Sequence, residues 1–154
     1  MMAFLLCLIP AIGFAGERDE SEIINIHEAD VEMNAAMLHA KQSLDVFLHR
    51  FKNPEEGDSD FALKVMVSDD YGVEHFWVAD VALTAEGFEG VVANEARTVQ
   101  VIDIGHKIEF GPELVTDWSY NHYGVKQGAF TLKVLLKRMP EEQADYYRKA
   151  VGWN

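Results

Sequence analysis

The chain has 154 residues, 49% of them hydrophobic, with 13 basic and 26 acidic side chains and a formal charge of −13. That length suits a single domain with an adequate core. The acidic balance excludes general binding to a phosphate backbone and disfavours anionic lipid, while leaving cationic partners open.

Ala3 to Phe14 is an almost unbroken apolar run. It falls short of the about 20 residues that a helix needs to span a bilayer. It fits the apolar region of a secretory signal. Gly13 and Ala15 stand at the −3 and −1 positions before Gly16, the small-residue pattern that a signal peptidase accepts. The reading is a signal over residues 1–15, cleaved after Ala15, giving a periplasmic or secreted protein with no stable membrane insertion. No Lys or Arg precedes the run, which departs from the pattern. A buried amino-terminal element or a retained anchor are the alternatives. Cys7 lies inside the run and lacks the small preceding residues of a lipoprotein box, so the cleaved chain would carry no thiol.

Residues 16–29 read as a mobile acidic leader, and residues 30–154 as one domain. A long helix is predicted from Asp30 to Lys52. Met33, Met37, Ala40, Leu44, Phe47, Leu48 and Phe51 form one apolar stripe at steps of three and four. Asp30 is its N-cap and Asn53-Pro54 its stop. Phe61, Leu63, Val65 and Val67 alternate with Ala62, Lys64 and Met66, which marks a strand. Asp69 to Gly72 is turn chemistry, and Val73 to Leu83 completes a hairpin. Further strands are predicted over Phe88–Ala93, Val99–Ile104, His106–Phe110, Leu114–Tyr120 and Phe130–Lys137. Asn121 to Gly128 reads as a polar loop. Pro140 opens a final helix whose apolar contacts are Tyr146, Tyr147, Val151 and Trp153.

Helices at the two ends and antiparallel strands between them make an α+β fold. The expected architecture is a long N-terminal helix packed on a curved antiparallel sheet, in the limit a half-barrel, with a short C-terminal helix.

Asp69, Gly72, Glu74-His75-Phe76-Trp77-Val78, Gly105, Phe110, Asp117-Trp118, Tyr120 and Gly128-Ala129-Phe130-Thr131 together resemble the DUF2314 domain of YegJ-like bacterial proteins, over roughly residues 30–137. His106 and Lys133 depart from the expected pattern, which weakens an ion pair between those positions. The resemblance implies a compact α+β domain, often exported or fused to other modules, with no established activity and no proven catalytic residues; no cofactor is expected.

Two roles are open to Glu74: a general acid or base, or a carboxylate paired across the hairpin with Lys64. Pairing is expected, because buried charges persist when neutralised. Asp117 reads as a capping residue or a ligand-orienting one. His122 completes the polar set, so Glu74, Asp117 and His122 are the catalytic candidates. Trp77, Trp118 and Tyr120 are candidates for an aromatic ligand-binding wall, against the alternative of core packing. The six histidines show no metal-binding spacing, and no metal is expected. The function expected is a binding or interaction module of the cell envelope for a protein or small-molecule ligand, without nucleic acid. The alternatives are a hydrolase using Glu74 or Asp117 as base, and an immunity- or inhibitor-type protein that meets a basic partner.

Overall fold

The computed structural model describes residues 30–150. The proposed signal, the leader, Val151 and Trp153 lie outside the described residues. The elements in order are α1 (Val31–Gln42), α2 (Leu44–Lys52), β1 (Asp58–Asp69), β2 (Gly72–Leu83), β3 (Phe88–Val92), β4 (Lys107–Phe110), a 3-10 turn (Pro112–Leu114), β5 (Val115–His122), β6 (Val125–Gly128), α3 (Phe130–Arg138) and α4 (Glu141–Ala150). The six strands form one antiparallel sheet in the order β4-β3-β2-β1-β5-β6. The fold is α+β, and no helix among the described residues is long and apolar enough to cross a membrane.

The central hairpin follows from alternation. Leu63 pairs with Val78 and Val65 with Phe76, so these four side chains share a face and are buried. Phe88 and Val92 extend that face on β3, and Trp118 and Tyr120 on β5. Ala40 and Phe47 cover it from α1 and α2. Each large apolar side chain buried in this way contributes roughly 1.5–3 kcal/mol.

Five expectations need correction. The helix expected over residues 30–52 is interrupted at Ser43. There the Trp118 indole N–H reaches both the Ala40 carbonyl and the Ser43 Oγ at 3.2 Å. A side chain inserted into the helical ladder is a recognised cause of such breaks. Residues 99–104 are loop and not strand, because their neighbourhood is held by carboxylates instead of a ladder. The Asp69 carboxylate accepts from the N–H of Gln100 at 2.6 Å and of Val101 at 3.3 Å. The expected loop at 121–128 contains the β5–β6 hairpin, whose turn residues Tyr123 and Gly124 both have positive φ, as a tight hairpin turn requires. The last predicted strand, Phe130–Lys137, is the helix α3. In α4, Ala144 is the buried residue, while Tyr146 and Tyr147 face solvent.

Two of the sheet's three register shifts place an extra residue on the central hairpin, and the third, between Lys64 and Val65, places it on β5. The two on the hairpin lie between Ser59 and Ala62 in the β1–β5 register and between Ala79 and Ala82 in the β2–β3 register. Each is a bulge, and bulges bend a strand and re-aim its side chains. Asp60 and Asp80 occupy these bulges with left-handed backbone, φ 53° and 50°.

Candidate functional site

Glu74 sits near the turn end of β2, opposite Val67. Lys64 lies opposite Trp77, so the expected Glu74–Lys64 pair does not form. Instead the Glu74 carboxylate accepts from the backbone N–H groups of Arg97 (3.0 and 3.1 Å), Thr98 (2.8 Å) and Val99 (3.3 Å). Burial pushes this carboxyl up, but the backbone donors outweigh burial and hold it below the usual carboxylate range. A carboxylate so engaged clamps a loop and is poorly suited to take a proton.

Asp117 is fully buried. Its Oδ1 accepts from the N–H of Trp118 at 2.8 Å and of Phe130 at 3.1 Å, and its Oδ2 from the N–H and hydroxyl of Thr131 at 2.8 and 2.7 Å. It therefore caps α3 from a strand thirteen residues upstream. Burial pushes its carboxyl up, against the pull of those four donors. The Lys64 ammonium donates to Thr131 Oγ1 at 3.1 Å. Burial lowers Lys64, and the negative charge of Asp117 opposes that shift.

His122 belongs to a different cluster. Its Nδ1 lies 2.7 Å from Asp58 Oδ1, and Arg50 joins both Asp58 and Glu55. Burial pushes the Asp58 carboxyl up, but the Glu55 N–H, His122 and Arg50 together hold it below its ordinary value. His122 pairs with Asp58 and Glu74 with Val67, nine residues apart along β1. At about 3.3 Å per residue the two candidates stand roughly 30 Å apart. Glu74, Asp117 and His122 do not converge.

The aromatic candidates divide as well. Trp118 is 5% exposed and Tyr120 7%, so neither offers a wall to a ligand. Trp118 packs on Phe47, Phe130 and Tyr120, and Tyr120 stacks on Phe61. Their face is the buried one, which alternation alone could not decide. Trp77 lies on the other face, is half-buried, and has the Lys64 ammonium 5.7 Å from its ring centroid.

Trp77 opens onto a cleft of about 560 Å³. Ala62, Ala79 and Ser119 from the sheet share its lining with Phe51, Phe61, Val81 and Leu132. Asp60, Asp80, Lys126 and Ala129 complete it. Among the described residues, four non-glycine positions have left-handed backbone: Asp60, Asp80, Tyr123 and Ala129. Three of the four line this cleft, and Tyr123 belongs to the β5–β6 turn. Asp60 accepts from Asn121 Nδ2 at 2.8 Å and from the Ser59 hydroxyl at 2.9 Å. Burial lowers Lys126, and Asp60 opposes that shift.

Trp77 is a cleft-lining residue among the candidates read from the sequence, and Asp60, Asp80, Ser119 and Lys126 are not among those candidates. One signal was present: Asp80 breaks the apolar run from Phe76 to Leu83 and adds a residue to its alternation. Among the described residues no group of three His, Cys, Asp or Glu side chains could hold a metal ion.

Comparison with known proteins adds a kinship. The profile of a family described as "Uncharacterized protein conserved in bacteria (DUF2314)" matches residues 30–154. The chain is similar to "Uncharacterized protein YegJ" of Escherichia coli (strain K12), 32% identical over 116 residues, which cover 75% of this chain and 74% of that protein. It is also similar to a Neisseria meningitidis serogroup B protein named "Putative ankyrin repeat protein", 25% identical over 79 residues, covering 51% of this chain and 31% of that one. No solved structure matches the chain.

Proposed function

Because the chain belongs to the DUF2314 family of bacterial proteins, we propose that it is a small exported binding module that holds a ligand in the cleft above Trp77. The observation that carries this reading is the gathering of Asp60, Asp80 and Ala129, all with left-handed backbone, around one cleft. A non-glycine residue in that conformation costs about 1–3 kcal/mol and persists where the surroundings enforce it, often at ligand sites. Bulges beside a cleft serve the same end, by turning side chains out of the regular pleat. The cleft has the make-up of a ligand site: apolar walls with a few polar groups. Glu74 and Asp117 have their oxygens engaged by several donors, which supports binding over hydrolysis.

A thermal-shift screen of amines, carboxylates, saccharides and dipeptides tests the reading. At least one class is expected to raise Tm for the native chain and to lose that effect in both Trp77→Ala and Asp80→Asn. Asp80 is exposed, so unliganded Asp80→Asn should melt within about 2 °C of the native protein. If no class shifts Tm, or if the shift survives both substitutions, the cleft is not the site.

A further inference from the structure

The charges around the cleft are unevenly matched. Lys126 faces Asp60, whose carboxylate is further held by Asn121 and Ser59. Lys64 is drawn to the buried Asp117 and donates to Thr131 beside it. Asp80 differs from both acids. It is exposed, stands on a bulge at the cleft's edge, and makes no hydrogen bond or ion pair with any described residue. The Trp77 indole N–H and the Ser119 hydroxyl likewise make no hydrogen bond with a described residue. The cleft thus presents an aromatic surface, a neutral donor, a hydroxyl and one uncompensated carboxylate.

Resting on the binding reading above, we propose that this cleft takes a terminal ammonium group carried on an aliphatic stem. The ammonium would meet Asp80, and the stem would lie along Trp77 and the small apolar residues Ala62 and Ala79. Three features argue for a cation over a neutral or anionic ligand. Asp80 is the acid in the cleft without a partner among the described residues. The Trp77 ring offers a π-face of the kind that attracts positive charge, and because the Lys64 ammonium 5.7 Å from its centroid repels a second cation there, the ring takes the stem and Asp80 the ammonium. The chain as a whole carries 26 acidic against 13 basic side chains, which draws cations toward it and raises their encounter rate. A lysine side chain of a peptide and a free diamine share this chemistry.

The test follows the Trp77 indole N–H resonance of the full chain by NMR, assigned through Trp77→Phe. The probes are 1,5-diaminopentane, a blocked tripeptide with a central lysine, the same tripeptide with its side-chain amine acetylated, cellobiose and glutarate. Both amines are expected to move the resonance with Kd in the millimolar range or tighter, at about 4 kcal/mol or more of binding free energy. Acetylation should abolish the shift, Asp80→Asn should weaken binding about fivefold, and added salt should weaken it further. Asp70→Asn, an exposed acid in the β1–β2 turn, should change nothing. Tighter binding of the peptide points to a protein ligand, and tighter binding of the diamine to a free polyamine; both support the proposal. If cellobiose or glutarate moves the resonance and the amines do not, the ligand class is wrong and the cleft remains a binding site. If no probe moves it at about 10 mM, both readings fall.

Discussion

At the scale of single residues, Glu74 shows how a correct question can receive a wrong partner. An acid beside Phe76 and Trp77 does need neutralising, and Lys64 on the neighbouring strand is the nearest cation in the sequence pattern. The register sets Lys64 against Trp77, and the carboxylate turns to backbone N–H groups 23 to 25 residues away. Backbone donors carry no sequence signature, so this clamp was illegible before the fold was known. It has a consequence for pH. Because the folded pKa of Glu74 lies below its unfolded value, its contribution to stability is fully present above the ordinary glutamate pKa of about 4.3. That contribution is lost as pH falls through the depressed folded value. Glu74→Gln should therefore melt below the native protein at pH 7, and the gap between the two Tm values should close on acidification from pH 5 downward. A gap independent of pH across that window would show that the charge of Glu74 is not what holds residues 97–99.

At the scale of elements, the β1–β2 hairpin was legible and α3 was not. The hairpin advertises itself by alternation on both strands and by turn residues between them. Phe130 to Lys137 carries a comparable number of apolar residues, and β-branched Thr131 and Val134 favour a strand reading. What makes it a helix comes from elsewhere. Asp117 offers both oxygens to the N–H groups of Phe130 and Thr131, and left-handed Ala129 turns the chain into position for them. The expected capping role of Asp117 holds in kind, but it serves a helix beyond the next hairpin. Asp117→Ala should cost about 2–4 kcal/mol, since it leaves the donors of Phe130 and Thr131 at the start of α3 without their acceptor and the Lys64 ammonium without the opposing charge of Asp117. Urea unfolding should show the loss in midpoint, and far-UV circular dichroism a fall in helix signal from α3. An Ala variant with native midpoint and native helix content would mean that packing of α3 on α1 suffices without the cap. The cleft residues were illegible for a related reason. A bulge depends on a one-residue mismatch between two strands, and the one trace of it in a single strand is Asp80 interrupting the alternation of β2.

At the scale of the whole molecule, the acidic charge and the apolar run at residues 3–14 bear on where the protein works. Removing residues 1–15 takes away no charged side chain, so the exported form would keep the full −13. Amino-terminal sequencing of the protein recovered from the periplasm or medium of an expressing bacterium should begin at Gly16. Recovery only from the cytoplasm, with Ala3 to Phe14 intact, would refute export. The two bulges carry a separate lesson about how such a cleft can arise. Ala79 pairs with Val91 and Ala82 with Glu89, three steps on one strand against two on the other. Taking out Asp80 alone would let Val81 meet Gly90 and leave every other partner of β2 where it stands. The pocketed domain and an unbroken ladder are thus one codon apart at this strand, and Ser59 to Ala62 repeats the arithmetic at the next. Small insertions could sculpt or erase the cavity across relatives while the architecture around it stays the same.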